Sequence, residues 1–165
     1  MPTSTYDLIS SNVLSSSSSS ITLSSIPATY RDLVLVMDLL AFDNSQYSAQ
    51  VRANNDSGSN YFDVFMRGNG GSGISSNATV GAFRVINAAT TTEKAFTIFH
   101  FIDYSATDKH KTALQRTGAP SASDTGVYLM HHRWANTAAI SSLSISTAFG
   151  QFAAGSSFYL YGIVS

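Results

Sequence analysis

Apolar and polar residues alternate with a period of two along much of this chain. Successive side chains of a strand point to opposite faces, so this period predicts β-strands. The last segment divides into two faces, with Phe158, Leu160, Gly162 and Val164 on one and Tyr159, Tyr161 and Ile163 on the other. Neither face is polar. The segment therefore predicts a central strand, or a strand whose outer face meets another subunit.

The segment before it, residues 140–147, is expected to supply a partner strand. Leu143 and Ile145 alternate there with serines, which is typical of a half-exposed strand. The link over residues 148–155 has a glycine near each end to turn the chain.

Other segments extend the pattern. Residues 31–42 are rich in Val and Leu and have no capping box before them, so they favour a buried strand over a helix. Six serines at 15–20 separate the strands predicted at 6–14 and 21–24, and we interpret them as the turn of a hairpin, with a flexible linker as the alternative. The glycine-rich residues 68–77 are predicted to form a surface loop.

Together these segments make ten or eleven short strands separated by turn signals, with no helix. Strands at this spacing predict an all-β fold, a single antiparallel jelly-roll-like β-sandwich of about ten strands in one domain, residues 1–165. The segments predicted to be central are 31–40, 95–103, 127–133 and 157–164.

The composition limits the kinds of molecule that the protein is expected to bind. Nine Lys and Arg against ten Asp and Glu give a formal charge of −1, so there is no basic excess to bind nucleic acid. Charged residues make up 12% of the chain, about half of the usual share. Low charge with many Ser and Thr is common in β-proteins that are buried in assemblies. The chain has no cysteine, which excludes disulfides, thiol nucleophiles and Cys-ligated zinc.

Targeting signals are not evident. The N-terminal residues lack the basic and apolar regions of a signal peptide. No apolar run approaches the roughly 20 residues that a membrane-spanning helix needs. We expect a soluble protein that is made in a cytoplasm and has no membrane partner.

The sequence gives little support for a catalytic or metal-binding site. His131 and His132 are adjacent, so in a strand they point to opposite faces, and we expect one inside and one outside. Glu93 and Asp103 carry no sign of a tuned acid pair. The glycines of 68–73 are not followed by a helix, as a phosphate-binding loop would be. We expect no enzyme activity, no cofactor and no metal.

Aromatic residues are the remaining candidates for a binding site. Four of them, predicted to be exposed, suit either stacking on sugar rings or packing at a subunit interface: Trp134, Tyr128, Tyr159 and Tyr161. Packing is the simpler interpretation.

Three stretches carry a resemblance to a known family. They are residues 6–14 together with 21–30, the segment Trp-Ala-Asn-Thr-Ala-Ala-Ile at 134–140, and Gly-Ser-Ser-Phe-Tyr-Leu-Tyr-Gly-Ile at 155–163. The pattern resembles a family of small virion structural proteins of tailed bacteriophages, common among marine and cyanobacterial phages. It covers both ends of the chain, and its motifs are fold signals rather than active-site signals.

The resemblance implies a non-enzymatic virion protein that is made in the host cytoplasm. A capsid decoration (cement) protein bound to the major capsid protein is the favoured role, because the chain has no heptads or repeats for a fibre shaft. The alternatives are a tail fibre or tail-tip knob bound to tail proteins, and a receptor-binding carbohydrate-binding module. Self-association is expected, with a trimer favoured because capsid and tail sites offer threefold symmetry.

Overall fold

The structure is a computed structural model, and it describes residues 4–41, 48–68, 70–71, 73–86, 90–118 and 126–164, with only the backbone described at positions 48 and 86. These residues form twelve β-strands and no helix. In chain order the strands are β1 (Tyr6–Val13), β2 (Ser20–Leu23), β3 (Asp32–Leu39), β4 (Ser48–Ala53), β5 (Tyr61–Gly68), β6 (Gly73–Val80), β7 (Phe83–Ile86), β8 (Ala95–Ile102), β9 (Lys111–Gly118), β10 (Val127–Trp134), β11 (Leu143–Thr147) and β12 (Ser157–Ile163).

The strands lie in two antiparallel sheets that face each other as a sandwich. The large sheet has eight strands in the order β1-β12-β3-β8-β9-β10-β5-β6, and the small sheet has four in the order β2-β11-β4-β7. The predicted all-β sandwich is confirmed, with twelve strands among the described residues where about ten were expected. The segments predicted to be central are β3, β8, β10 and β12, and each lies between two neighbours in the large sheet.

The two ends of the chain run side by side from one sheet to the other. β1 pairs with β12 in the large sheet, and β2 pairs with β11 in the small sheet. Between these pairs, Ser18 and Phe152 exchange backbone hydrogen bonds of 3.0 and 2.8 Å. The chain ends therefore form one long antiparallel ribbon that folds from the large sheet onto the small sheet.

This ribbon shows that two sequence predictions were wrong. The serine run 15–20 is not the turn of a hairpin, because β1 and β2 lie in different sheets. For the same reason β11 is not the partner of β12. The segment that links β1 to β2 forms hydrogen bonds with the segment that links β11 to β12, which lies at the opposite end of the chain. Local alternation of residues does not reveal such a distant partner.

A third correction concerns the loop predicted at residues 68–77. β6 begins at Gly73 and pairs with β5 along its whole length, from Val80 opposite Tyr61 to Gly73 opposite Gly68. It lies at the edge of the large sheet and is mostly exposed, so its sequence shows no apolar face. Hydrogen bonds to β5, rather than burial, make it a strand.

The core lies between the sheets and centres on Phe83 of β7. Its ring centroid lies 4.8 Å from that of Tyr61, 5.6 Å from Phe101 and 6.4 Å from Phe99, all in the large sheet. Edge-to-face and tilted pairs at such distances are favourable for aromatic rings. Phe83 therefore fixes the small sheet against the large one.

β12 has a glycine where a neighbouring ring leaves no room for a side chain. A Cβ atom on Gly162 would lie 2.2 to 2.5 Å from ring atoms of Tyr30. Tyr30 precedes β3 and packs against the core. Its ring packs directly on the backbone of β12 at this end of the sandwich.

Gly162→Ala is expected to lower the free energy of unfolding by about 1–3 kcal/mol, the usual cost of overpacking, because the Tyr30 ring must move. Gly118→Ala is the matched control, since a Cβ atom there meets nothing within 4 Å. Urea denaturation measures both variants. Equal stabilities would contradict the packing argument.

Candidate functional site

The most unusual surface of the molecule is the outer face, defined here as the side of the large sheet that is turned away from the small sheet. An ordinary exposed sheet face is polar, but this one is rich in apolar side chains. Ten of the thirteen large hydrophobic residues that are exposed in the described chain lie on it, namely Tyr6, Leu8, Val13, Val64, Met66, Phe96, Ile102, Leu114, Val127 and Leu129.

Strand pairing places these side chains in rows that cross the whole sheet. One row, from β1 to β6, is Leu8, Tyr161, Val34, His100, Leu114, His131, Val64 and Asn77. The next row is Ser11, Tyr159, Val36, Ile98, Arg116, Leu129, Met66 and Ser75. Both rows end in small polar residues at the β6 edge and are mainly apolar or aromatic in between.

A shallow depression of about 300 Å³ lies in the middle of the outer face. Its lining residues are Tyr6, Val34, Ile98, His100, Leu114, Gln115, Arg116 and Leu129. The walls are thus largely aliphatic, with the ring nitrogens of His100 and the guanidinium donors of Arg116 beside them. This combination suits a partner that offers an apolar group next to a hydrogen-bond acceptor or an anion.

The two nitrogen-bearing side chains at the depression, His100 and Arg116, differ in their partners. His100 Nε2 lies 3.2 Å from Oδ2 of Asp32, and this oxygen also accepts a bond from Arg31 Nε at 3.0 Å. The other carboxylate oxygen, Oδ1, accepts a bond from the backbone N–H of Asp103 at 2.9 Å. Burial acts to raise the pKa of Asp32, but these hydrogen bonds outweigh it and hold the pKa below its usual value. Arg116, in contrast, has no acidic partner among the described residues.

The four aromatic residues predicted to be exposed fall into two groups, one buried and one on the outer face. Trp134 and Tyr128 are only 1% and 5% exposed, and both point inward from β10. Trp134 Nε1 donates to Oδ2 of Asp56 at 2.8 Å, and this bond lowers the pKa of that carboxyl. The prediction that these two rings are exposed was wrong, so neither offers a face on which a sugar could stack.

The reason for this error lies in the composition of β10. Val127 and Leu129 point outward, while Tyr128 and Trp134 point inward. Large apolar groups therefore occupy both faces, and alternation alone does not tell which face is buried.

Tyr159 and Tyr161 lie on the outer face, as neighbours along β12. Both are half-buried, and their rings are stacked with centroids 6.5 Å apart and planes 25° from parallel. They stand next to Val36 and Val34 in the two rows. Of the four aromatic candidates, these two therefore share a surface with the depression.

Sequence reasoning missed Arg116 and His100 as parts of a surface. The alternation of β8, with Phe96, Ile98, His100 and Ile102 on one side, contained the signal. It could be read only after the opposite side, with Phe99 and Phe101, was known to be the core side.

The inner face of the large sheet contains a buried histidine. His132 Nε2 lies 2.8 Å from Oε1 of Gln115, whose Nε2 donates to Oγ1 of Thr117 at 2.9 Å. The His132 ring stacks on Phe99 with centroids 5.4 Å apart, and its Nδ1 has no hydrogen-bond partner among the residues that the structure describes. Burial lowers the pKa of His132 to about 3, so the folded protein holds it neutral. His131 is exposed, which confirms the expected division of the pair.

An ion pair whose carboxylate is buried lies beside this histidine. Asp63 stands directly opposite His132 in β5 and accepts bonds from Arg84 of β7 at 2.7 Å and 2.5 Å. The bond to Asp63 raises the pKa of Arg84. A carboxylate near an imidazole is a common catalytic arrangement, but both Asp63 and His132 are fully buried, so a substrate does not reach them. The ion pair joins the two sheets.

Within the described part of the chain, no group of three or more acidic or histidine side chains is arranged to hold a metal ion. Nor do these residues contain a helix of the length and apolarity needed to span a bilayer. No protein-family model matches the chain, and no curated protein sequence matches it. The outer face therefore remains the surface from which a function can be argued.

The buried histidine predicts a dependence of stability on pH. In the unfolded chain a histidine has a pKa of about 6.5, so below this pH the unfolded state binds a proton that the folded state excludes. Stability is therefore lost as pH falls from about 6.5 toward 3, by about 1.4 kcal/mol per unit. His132→Gln removes this contribution, and its free energy of unfolding should fall less on acidification than that of the wild type.

Urea titrations at several pH values between neutral and mildly acidic measure the two slopes. His131→Gln is the control, because the neighbouring ring is exposed on the outer face and its removal should keep the wild-type slope. Parallel curves for the wild type and His132→Gln would refute a buried neutral histidine.

Proposed function

We propose that this protein is a non-enzymatic structural component of a bacteriophage virion. The favoured role is a capsid decoration (cement) protein that binds the major capsid protein and stabilises the assembled shell. The observation that carries the proposal is the apolar outer face of the large sheet, which has in its middle Arg116, a cation with no acidic partner in the described part of the chain. The resemblance of residues 6–14 with 21–30, 134–140 and 155–163 to small virion proteins is the second argument for it.

The size of the outer face supports a stable protein interface. Eight strands spaced about 4.8 Å apart, carrying four rows of side chains about 6.6 Å apart, cover roughly 35 by 20 Å, or about 700 Å². A standard interface buries about 800 Å² on each partner. The face is thus large enough to be covered by one protein partner.

The composition of the face favours a protein over a glycan as that partner. Leu114, Leu129 and Met66 offer aliphatic area but few groups that bond to sugar hydroxyls. Arg116 is the type of residue that anchors an interface when a partner supplies a carboxylate or carbonyl. We further propose that the protein is a homo-oligomer, a trimer in the favoured form, since shells offer threefold positions.

The strand order supports a jelly-roll form of the sandwich. The terminal ribbon β1-β12 and β2-β11 is followed by a second one, in which β3 pairs with β8 and β4 pairs with β7. Two ribbons that fold from one sheet to the other are the arrangement of a jelly roll. β9-β10 and β5-β6 then extend the large sheet beyond the small one and widen the outer face.

A tail-tip protein that binds receptor glycans is the second candidate function. Its specific support is the stacked pair Tyr159 and Tyr161 on the outer face, because aromatic platforms bind sugar rings. A glycan array distinguishes the two candidates. Specific binding that Tyr159→Ala abolishes would favour this second function over decoration.

Leu129→Lys is expected to weaken self-association, because it places a second cation opposite Arg116 in the middle of the face. Leu129 is exposed, so the variant should fold. Phe149→Lys is the matched control, since Phe149 is 71% exposed and lies outside the sheets. Light scattering should give a lower mass for Leu129→Lys alone. A wild-type chain that stays monomeric at high micromolar concentration would contradict the proposed oligomer.

Copy number in purified virions tests the role on the particle. Decoration requires many identical sites, so quantitative mass spectrometry should give hundreds of copies per virion. Removal of the protein should make shells more sensitive to heat, because binding to the assembled state stabilises it by mass action. Only a few copies per particle would overturn decoration in favour of the tail.

A further inference from the structure

The edge of the large sheet at β6 differs from the other three sheet edges. At the opposite edge, β1 is interrupted by a register shift between Leu8 and Ser10. The edges of the small sheet, β2 and β7, have only four residues each. β6 has eight residues, and its pairing with β5 shows no shift. Bulges and short length are the devices that prevent edge strands from pairing with other chains, and β6 has neither.

The sequence of β6 has none of the protective residues either. It reads Gly-Ile-Ser-Ser-Asn-Ala-Thr-Val, without a charge or a proline. Most of its side chains are exposed, including that of Ile74. Edge strands of monomeric proteins usually carry a lysine, a proline or an inward-pointing charge. Among the described residues no strand pairs with β6 on the side away from β5, so this row of backbone donors and acceptors can accept another strand.

We propose that β6 pairs antiparallel with β6 of a second copy, so that the two large sheets become one continuous sheet across a two-fold axis. An axis at Asn77, perpendicular to the sheet, keeps each outer face on the same side. It places Asn77 opposite its own copy, Ser75 opposite Thr79 and Ile74 opposite Val80. Polar residues then face polar ones and Ile74 faces Val80, except that Ser76 faces Ala78, and no like charges meet.

A second copy fits this edge better than a charged or bulky segment does. The side chains of β6 are small and uncharged, so they offer no charge for an unlike partner to recognise. Self-pairing also buries Ile74, which is 47% exposed in one copy. The contact is isologous, because the same residues serve on both sides of the axis.

This contact is separate from the proposed contact of the outer face. Pairing through β6 alone gives a dimer, and a closed assembly that combines it with a threefold contact contains two trimers. In either assembly, loss of the β6 contact halves the molecular mass. The inference does not rest on a role in the virion.

Paired charge variants at position 77 test the inference. Asn77→Lys and Asn77→Glu each place like charges opposite one another across the axis, and Asn77 is exposed, so both variants should fold. Light scattering should give half the wild-type mass for each variant alone. An equimolar mixture of the two should recover the wild-type mass, because Lys then faces Glu.

Thr22→Lys and Thr22→Glu are the matched controls, since Thr22 is an exposed polar residue on the edge strand β2. Both should keep the wild-type mass. Amide hydrogen exchange gives a second readout. In the wild type, the N–H groups of β6 that point away from β5 should be protected, and Asn77→Lys should remove this protection.

Three results would overturn the inference. The first is a wild-type mass that Asn77→Lys and Asn77→Glu both leave unchanged. The second is unprotected outward amides in β6 at a concentration where the protein is oligomeric, and the third is a monomer at high micromolar concentration. A trimer that survives both charge variants would reject pairing at β6 and leave the proposed outer-face contact standing.

Discussion

The fold depends on the pairing of the two ends of the chain. β12 lies between β1 and β3, so the large sheet is continuous only when the last strand is in place. The same ribbon passes through Ser18 and Phe152 and carries β2 and β11 onto the small sheet. Contacts between such distant segments cost loop-closure entropy before they gain stability. Late closure of the sandwich follows from this order of strands.

The sequence alone identified the buried strands. It did not identify which strands pair with each other, or the edge strand β6. β3 and β12 were predicted as central because apolar residues occupy both of their faces, a property that does not need a partner to be recognised. The partners of β2 and β11 were missed because each lies at the far end of the chain. β6 was missed because an exposed edge strand has no apolar face, and only its hydrogen bonds to β5 define it.

The candidate site was predictable only in part, for a related reason. Tyr159 and Tyr161 were placed on one face of the last strand, and they lie on the outer face of the sheet. Trp134 and Tyr128 were expected on a surface and are buried, because β10 has apolar residues on both sides. Where both faces of a strand suit burial, alternation finds the strand but does not tell which face is inside. Arg116 was missed because its significance depends on the apolar rows around it.

A sheet with two apolar faces raises the question of what fixes its register. A slip of one residue exchanges the two sets of side chains, and here such a slip would lose little hydrophobic stabilisation. Polar pairs and close packing supply the missing specificity. Asp63 meets Arg84, His132 meets Gln115, and Gly162 lies under the ring of Tyr30 in only one register. A slip of β5 would turn Asp63 to the outer face and break its bonds to Arg84, and a slip of β10 would turn Arg133 into the core without a partner, which is far more costly than exposing a leucine. The buried polar groups thus select the inner face, and this selection leaves the apolar outer face free to bind a partner.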